Sequence, residues 1–360
     1  MNKLNLSSRT LRFVFCAALM SAALCVCAEG FAAPVCAQQT TPPPAQQQTK
    51  QERDAQLKKE LSAPSHAWSS YDQTFDGGTL YPVSPSEADP EIKRFDKPNL
   101  VLFIPDVKPD APLLVFFPGT GSEPKSSWPF LEAGVKAGYR VIGLMYDNGV
   151  SVPQTCGPQP DPACSDRFRE KRIFGDGVSS ELDDLPNESV VNRLTKLLQY
   201  LDAKHPQDGW GRYLKNRQPN WERIAVSGHS QGGGVAAYIA KKKSVYRVIN
   251  LSGAWDRVEA TKVWAPWITS ASATPLDRWY AAYHQKESRA DAMKAAYAAI
   301  GIPPAHIRVL TLEPNPANKM PAGSDAYHVS MSAIGVTPLD TNGQPAYASD
   351  WAFLLGSAEQ

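Results

Sequence analysis

Between residues 100 and 312, short unbroken apolar runs alternate with stretches in which apolar residues recur every three or four positions. The runs fall at 100–104, 113–117, 139–145, 223–227, 247–251 and 306–312, and each has the length of a strand. They lack the in–out alternation of a half-exposed strand, so both faces of each strand are expected to be buried, as in a parallel sheet. Helical spacing marks 126–137, 189–203 (apolar at 190, 191, 194, 197, 198 and 201) and 232–240. Residues 278–300 read two ways: as one long alanine-rich helix, or with a strand at 279–283. Strands separated by helices imply an α/β fold: one domain over residues 62–360, with a mostly parallel central sheet and helices on both faces. Residues 147–186 interrupt the pattern with many Gly, Pro and Asp and read as a long excursion. No internal repeat is visible.

The first residues stand outside this pattern. Lys3, Arg9 and Arg12 precede an apolar stretch at 14–28, which suits a signal-peptide core and is short for a membrane span. Val35–Cys36–Ala37 then offers a small-residue cleavage site, which makes 1–37 a signal peptide and Gln38 the mature N-terminus. The chain is therefore expected to be exported, periplasmic or secreted, with no integral membrane segment in the mature protein. Residues 38–61, rich in Gln, Pro and charge, read as a linker. Cleavage would leave two of the six cysteines, Cys156 and Cys164. In an exported chain a close pair reads as a disulfide, worth roughly 2.5 kcal/mol for so short a loop. The formal net charge of +1 gives no electrostatic footprint for nucleic acid. No metal or organic cofactor is implied, and the lysines at 241–243 read as a helix C-terminus.

The chemistry concentrates at 223–234, RIAVSGHSQGGG. Gly228-x-Ser230-x-Gly232 is a G-x-S-x-G motif that follows a short apolar strand and opens a small-residue helix. That context is the one the motif needs: a sharp strand-to-helix turn exposes the serine hydroxyl, and the glycines admit the neighbouring backbone. Gln231 would offer its backbone N–H, at the helix N-terminus, to a developing oxyanion.

Over about residues 98–357 the chain resembles the α/β-hydrolase superfamily, and within it the exported bacterial serine hydrolases. The resemblance implies a second oxyanion donor in the loop after an earlier strand. Here that loop is Phe117–Pro118–Gly119–Thr120–Gly121–Ser122, with Pro118 where a histidine often stands, and Thr120 is the amide it points to. It also implies the chain order serine, acid, histidine. Of the histidines at 66, 205, 229, 284, 306 and 328, the first two precede Ser230, His229 lies inside the elbow, and His306 begins a strand. His328, in a loop after the last strand, is the expected base, and His284 is its rival. The acid candidates are Asp256, Glu287, Asp291, Glu313 and Asp325. The fold needs two strands between Leu251 and His328, which favours the strand at 279–283 and places Glu287 just past its end. Asp256, after the strand ending near Leu251, is the runner-up.

The expected function is a serine hydrolase cleaving a small or polymer-borne carboxylic ester through an acyl-enzyme on Ser230. Amide or peptide hydrolysis and acyl transfer use the same groups. A non-catalytic binding protein on a hydrolase scaffold is the alternative of a different class. Trp128, Trp255, Trp264 and Trp267 are candidates for an acyl or aromatic pocket.

Overall fold

The apolar runs become the middle of one eight-stranded sheet in the computed structural model, which describes residues 77–105, 107–315 and 324–356. The strands are β1 (Thr79–Val83), β2 (Asn99–Phe103), β3 (Leu113–Phe117), β4 (Arg140–Gly143), β5 (Ile224–His229), β6 (Arg247–Leu251), β7 (Trp279–His284) and β8 (Ile307–Leu310). Their spatial order is β1-β2-β4-β3-β5-β6-β7-β8. The β1–β2 and β2–β4 pairings are antiparallel and the other five are parallel. Helices cover both faces, and this is the α/β-hydrolase fold.

Alternate residues of each central strand feed two cores. Leu113, Val115 and Phe117 of β3 face one side, where α4 (Val190–Lys204), α5 (Gln231–Lys242) and α6 (Ala290–Ile300) pack. Leu114 and Phe116 face the other, against α1 (Trp128–Lys136) and α8 (Ala348–Leu355). Burial on both faces is why these strands carry no polar alternation. Residues 278–300 divide into β7 and α6, so the strand reading holds over the single long helix.

Three features depart from expectation. β1 was not anticipated: as an antiparallel edge strand it is mostly half-buried and carries no apolar run. The excursion at 147–186 contains α2 (Val152–Thr155) and α3 (Cys164–Phe174). The buried face of α3 includes Arg169 and Arg172, which are neutralised by ion pairs rather than being apolar, so no hydrophobic period marks it. His306 does not begin a strand but ends a 3-10 turn, Pro304–His306. The lysine run does end α5, with Lys241 and Lys242 in its last turn, and Lys241 is buried and donates to the Ser270 carbonyl at 2.6 Å.

Cys156 and Cys164 are disulfide-bonded, which ties the end of α2 to the start of α3. Among the described residues, no helix is long and apolar enough to cross a membrane. The expected leader at 1–37, the linker at 38–61 and His66 lie outside the described residues.

Candidate active site

Ser230, Glu287, His328, Thr120 and Trp255 all follow the C-terminal ends of strands, the edge at which parallel α/β sheets bind ligands. Ser230 sits between β5 and α5 with φ 56° and ψ −118°, a conformation that costs energy for a non-glycine residue. It is held there from both sides. Its N–H donates to the Leu251 carbonyl at 2.9 Å, and its carbonyl accepts the Gly234 N–H at 3.2 Å. The first turn of α5 presses on the end of β3, so a Cβ at Gly232 would stand 1.9 Å from the Phe117 carbonyl oxygen.

Gln231 opens α5, so its N–H has no intrahelical acceptor. The loop after β3 is fixed by Tyr146, whose hydroxyl donates to the Pro118 carbonyl at 2.9 Å, and by Asn148, whose amide donates to the carbonyls of Gly119 and Ser122 at 2.8 Å each. Among the described residues neither the Thr120 nor the Gln231 amide N–H has an acceptor. The Thr120 hydroxyl donates to Gln231 Oε1 at 3.0 Å, which joins the two loops.

His328 lies on α7 (Ala326–Val329), a one-turn helix rather than the expected open loop. Asp325 caps it, accepting the His328 N–H at 3.1 Å and the Ser288 N–H at 2.6 Å. The ring Nδ1 of His328 is 2.6 Å from Glu287 Oε2. Glu287 is 4% exposed. Its second oxygen accepts from the Ser252 hydroxyl and the His284 N–H, both at 2.9 Å. A carboxylate so placed accepts a hydrogen bond from Nδ1–H, fixes the tautomer and leaves Nε2 able to accept a proton. The elbow reaches the same helix through His229. Its ring stands 4.6 Å from that of His328, and its Nε2 donates to the His328 carbonyl at 2.8 Å. Burial, with His328 adding to it, pushes the His229 pKa down to about 3, so its ring is neutral.

The rival residues are engaged elsewhere. His284 is fully buried, its Nε2 donating to the Leu312 carbonyl at 3.0 Å and its Nδ1 accepting the Lys286 N–H at 3.0 Å. Asp256 pairs with Arg169 through both oxygens, at 2.5 and 2.7 Å. Asp291 is exposed on α6. Glu313 is exposed and bonds Lys286 and the Tyr327 hydroxyl. Of the four tryptophans only Trp255 lines the cavity beside Ser230, where its ring meets that of His328 edge-on at 5.9 Å. Trp128 and Trp267 are core, and Trp264 packs under Arg257.

Ser252, His229 and Asp325 brace this site without having stood out in the sequence for that role. Each acts across loops distant along the chain, and no local spacing announces such contacts. Among the described residues, no three His, Cys, Asp or Glu side chains cluster as a metal site would require.

No protein-family description and no curated protein matches the chain. Solved structures do. A bacterial heroin esterase is 15% identical over 84% of this chain and 88% of its own, with a TM-score of 0.38. An esterase/lipase from an uncultured bacterium is 10% identical over 89% and 94%, at 0.42. Esterase B from Lactobacillus rhamnosis is 11% identical over 73% and 84%, at 0.38.

Proposed function

We propose that this protein is a serine hydrolase that cleaves a carboxylic ester through an acyl-enzyme on Ser230. The observation that carries the reading is the pairing of buried Glu287 with His328, 2.6 Å apart, on a helix that meets the strained serine elbow through His229. Ser230 Oγ attacks the ester carbonyl as its proton passes to His328 Nε2. Glu287 orients the ring and stabilises the imidazolium. The negative charge that forms on the carbonyl oxygen is met by the Gln231 and Thr120 amides, each such donor being worth about 3 kcal/mol to the transition state. The tetrahedral intermediate collapses, and His328 returns the proton to the departing alcohol. Water then adds to the acyl carbon with His328 again as base, releasing the acid and freeing Ser230.

A fluorophosphonate probe tests this directly. Mass spectrometry of labelled folded protein should find the adduct on Ser230, and Ser230→Ala should abolish both labelling and ester hydrolysis while preserving the fold. Labelling elsewhere, or none, rejects the reading. A panel of esters of graded acyl length beside the matching amides ranks the substrates.

The same reading includes export. A leader ending near Ala37 would deliver the chain to an oxidising compartment, where the Cys156–Cys164 bond is stable. N-terminal sequencing of the exported fraction should begin near Gln38.

A further inference from the structure

Beside Ser230 lies a cavity of about 120 Å3 whose walls include Arg169, Gln231, Trp255 and Asp256. That volume is enough for a short group. Arg169 comes from α3 and is 3% exposed. It can reach this place because residue 234 is glycine: a Cβ there would lie 2.2 Å from Nη2 and 2.7 Å from Nη1. Asp256 accepts Nε at 2.5 Å and Nη2 at 2.7 Å, which leaves Nη1 with no acceptor among the described residues.

The surrounding groups do not make good the deficit. Asp256 Oδ2 is already taken by the Ser165 hydroxyl at 2.5 Å and Trp267 Nε1 at 3.0 Å. Gln154 Oε1 accepts the hydroxyl and N–H of Ser151 at 2.8 and 3.2 Å. Gln231 Oε1 accepts from Thr120. One further wall donor, Trp255 Nε1, is buried without a partner, whereas the Gln231 side chain hydrogen-bonds Tyr146. The walls thus hold two unmet donors, Arg169 Nη1 and Trp255 Nε1, beside one carboxylate oxygen, Asp256 Oδ1, that already accepts Nη2. Buried donors left unmet are costly and scarce in folded proteins. A guanidinium edge and an indole N–H around one small cavity at a nucleophile are complementary to oxygens brought by a ligand.

We propose that this cavity is a carboxylate subsite, and that the preferred substrate is an ester bearing a carboxylate a few bonds from the scissile carbonyl, with Arg169 Nη1 as its direct donor. The proposal rests on the Ser230 reading. Asp256 already neutralises the guanidinium, so directed hydrogen bonds rather than net charge select the carboxylate. Hydrolysis consumes one water and releases a dicarboxylic acid and an alcohol when the carboxylate is on the acyl side, or a monocarboxylic acid and a hydroxy acid when it is on the alcohol side.

The test compares matched esters. Monoethyl succinate is ethyl butyrate with the terminal methyl of its acyl chain replaced by a carboxylate, and carboxymethyl butyrate is ethyl butyrate with the terminal methyl of its alcohol group so replaced, so ethyl butyrate is the neutral partner of both. One charged ester should exceed its neutral counterpart at least about tenfold in kcat/KM, the effect of one charge-assisted hydrogen bond. Which of the two does so assigns the cavity to the acyl or the alcohol group. In Arg169→Lys, which keeps the charge beside Asp256 but lacks Nη1, that ratio should fall toward one. Gly234→Ala, which displaces the guanidinium without changing any charge, should lower it too if Arg169→Lys does not fold. Neutral esters hydrolysed with no preference for either charged one, or a preference unmoved in the folded variants, overturns the subsite. Calorimetry on Ser230→Ala protein separates the two readings. If no ester is hydrolysed at all, the Ser230 reading fails, and tighter binding of a charged ester than of its neutral match still decides for the subsite. Equal binding decides against it.

Discussion

Two buried carboxylates stand just beyond neighbouring strands, and their partners distinguish them. Glu287 follows β7 and meets a histidine ring nitrogen, whereas Asp256 follows β6 and meets a guanidinium. Chain order and strand counting narrowed the acid to these two, but the partner of each is a contact between distant loops that no spacing encodes. The same holds for His284 and His328, which differ in that both ring nitrogens of His284 are occupied. Glu287→Gln is expected to lower kcat by roughly 10²–10⁴ with a small change in stability. A glutamine can still accept from Ser252 and His284, but it turns an NH2 toward His328 Nδ1 and favours the wrong tautomer. Asp256→Asn is instead expected to destabilise the fold by about 3–5 kcal/mol, because it strands a buried guanidinium. Kinetics and urea unfolding on both variants check this. If Asp256→Asn shows the kcat loss and Glu287→Gln does not, the assignment reverses.

At the scale of elements, legibility followed the source of burial. β3 and β6 are buried by apolar side chains on both faces, and the expected 113–117 and 247–251 are their observed bounds. β1 is half-buried at the sheet edge and gave no such signal. α3 buries Arg169 and Arg172 beside Phe168 and Ile173, and those arginines pair with carboxylates outside the helix, so its sequence resembles that of a solvated loop. α2 and α3 nevertheless form a wall of the site, since the segment from Ser151 to Arg169 supplies several cavity-lining side chains. The Cys156–Cys164 bond pins that wall. Replacing both cysteines by serine should cost roughly 2.5 kcal/mol in urea unfolding, the loop-closure entropy of so short a ring. Alkylation of the parent protein without reduction should label neither cysteine. Free labelling of both would contradict the bonded wall.

For the whole molecule, the mostly parallel sheet with helices on both faces was legible because short apolar strands alternate with helices along the chain. Its response to pH was not, because it depends on which titratable groups the fold buries. His229 is held at about 3, below its ordinary 6.5, chiefly by burial. The unfolded chain therefore binds a proton there below pH 6.5 that the native chain refuses until about pH 3, and stability falls across that window as pH drops. Asp325 acts in the same direction: burial raises its carboxyl, but the N–H groups of Ser288 and His328 outweigh burial and hold it below 3.8. Its contribution is present above 3.8 and lost on acidification. Asp166, raised by burial, opposes these, but only from about 3.8 upward. Lys241, lowered by burial to about 8, adds stability as pH rises from there toward 10.5. The hydroxyls of Tyr139, Tyr146 and Tyr297, raised by burial, reverse the trend above 10, where only the unfolded chain loses those protons. Unfolding free energy measured in urea should therefore climb from pH 4 to 7 and decline above 10. His229 can contribute at most about 1.4 kcal/mol per pH unit to the acid limb. His229→Gln keeps an N–H for the His328 carbonyl but removes the titration, so it should flatten the slope between pH 3 and 6.5. A variant that unfolds with the parent's slope would place the acid sensitivity in other groups.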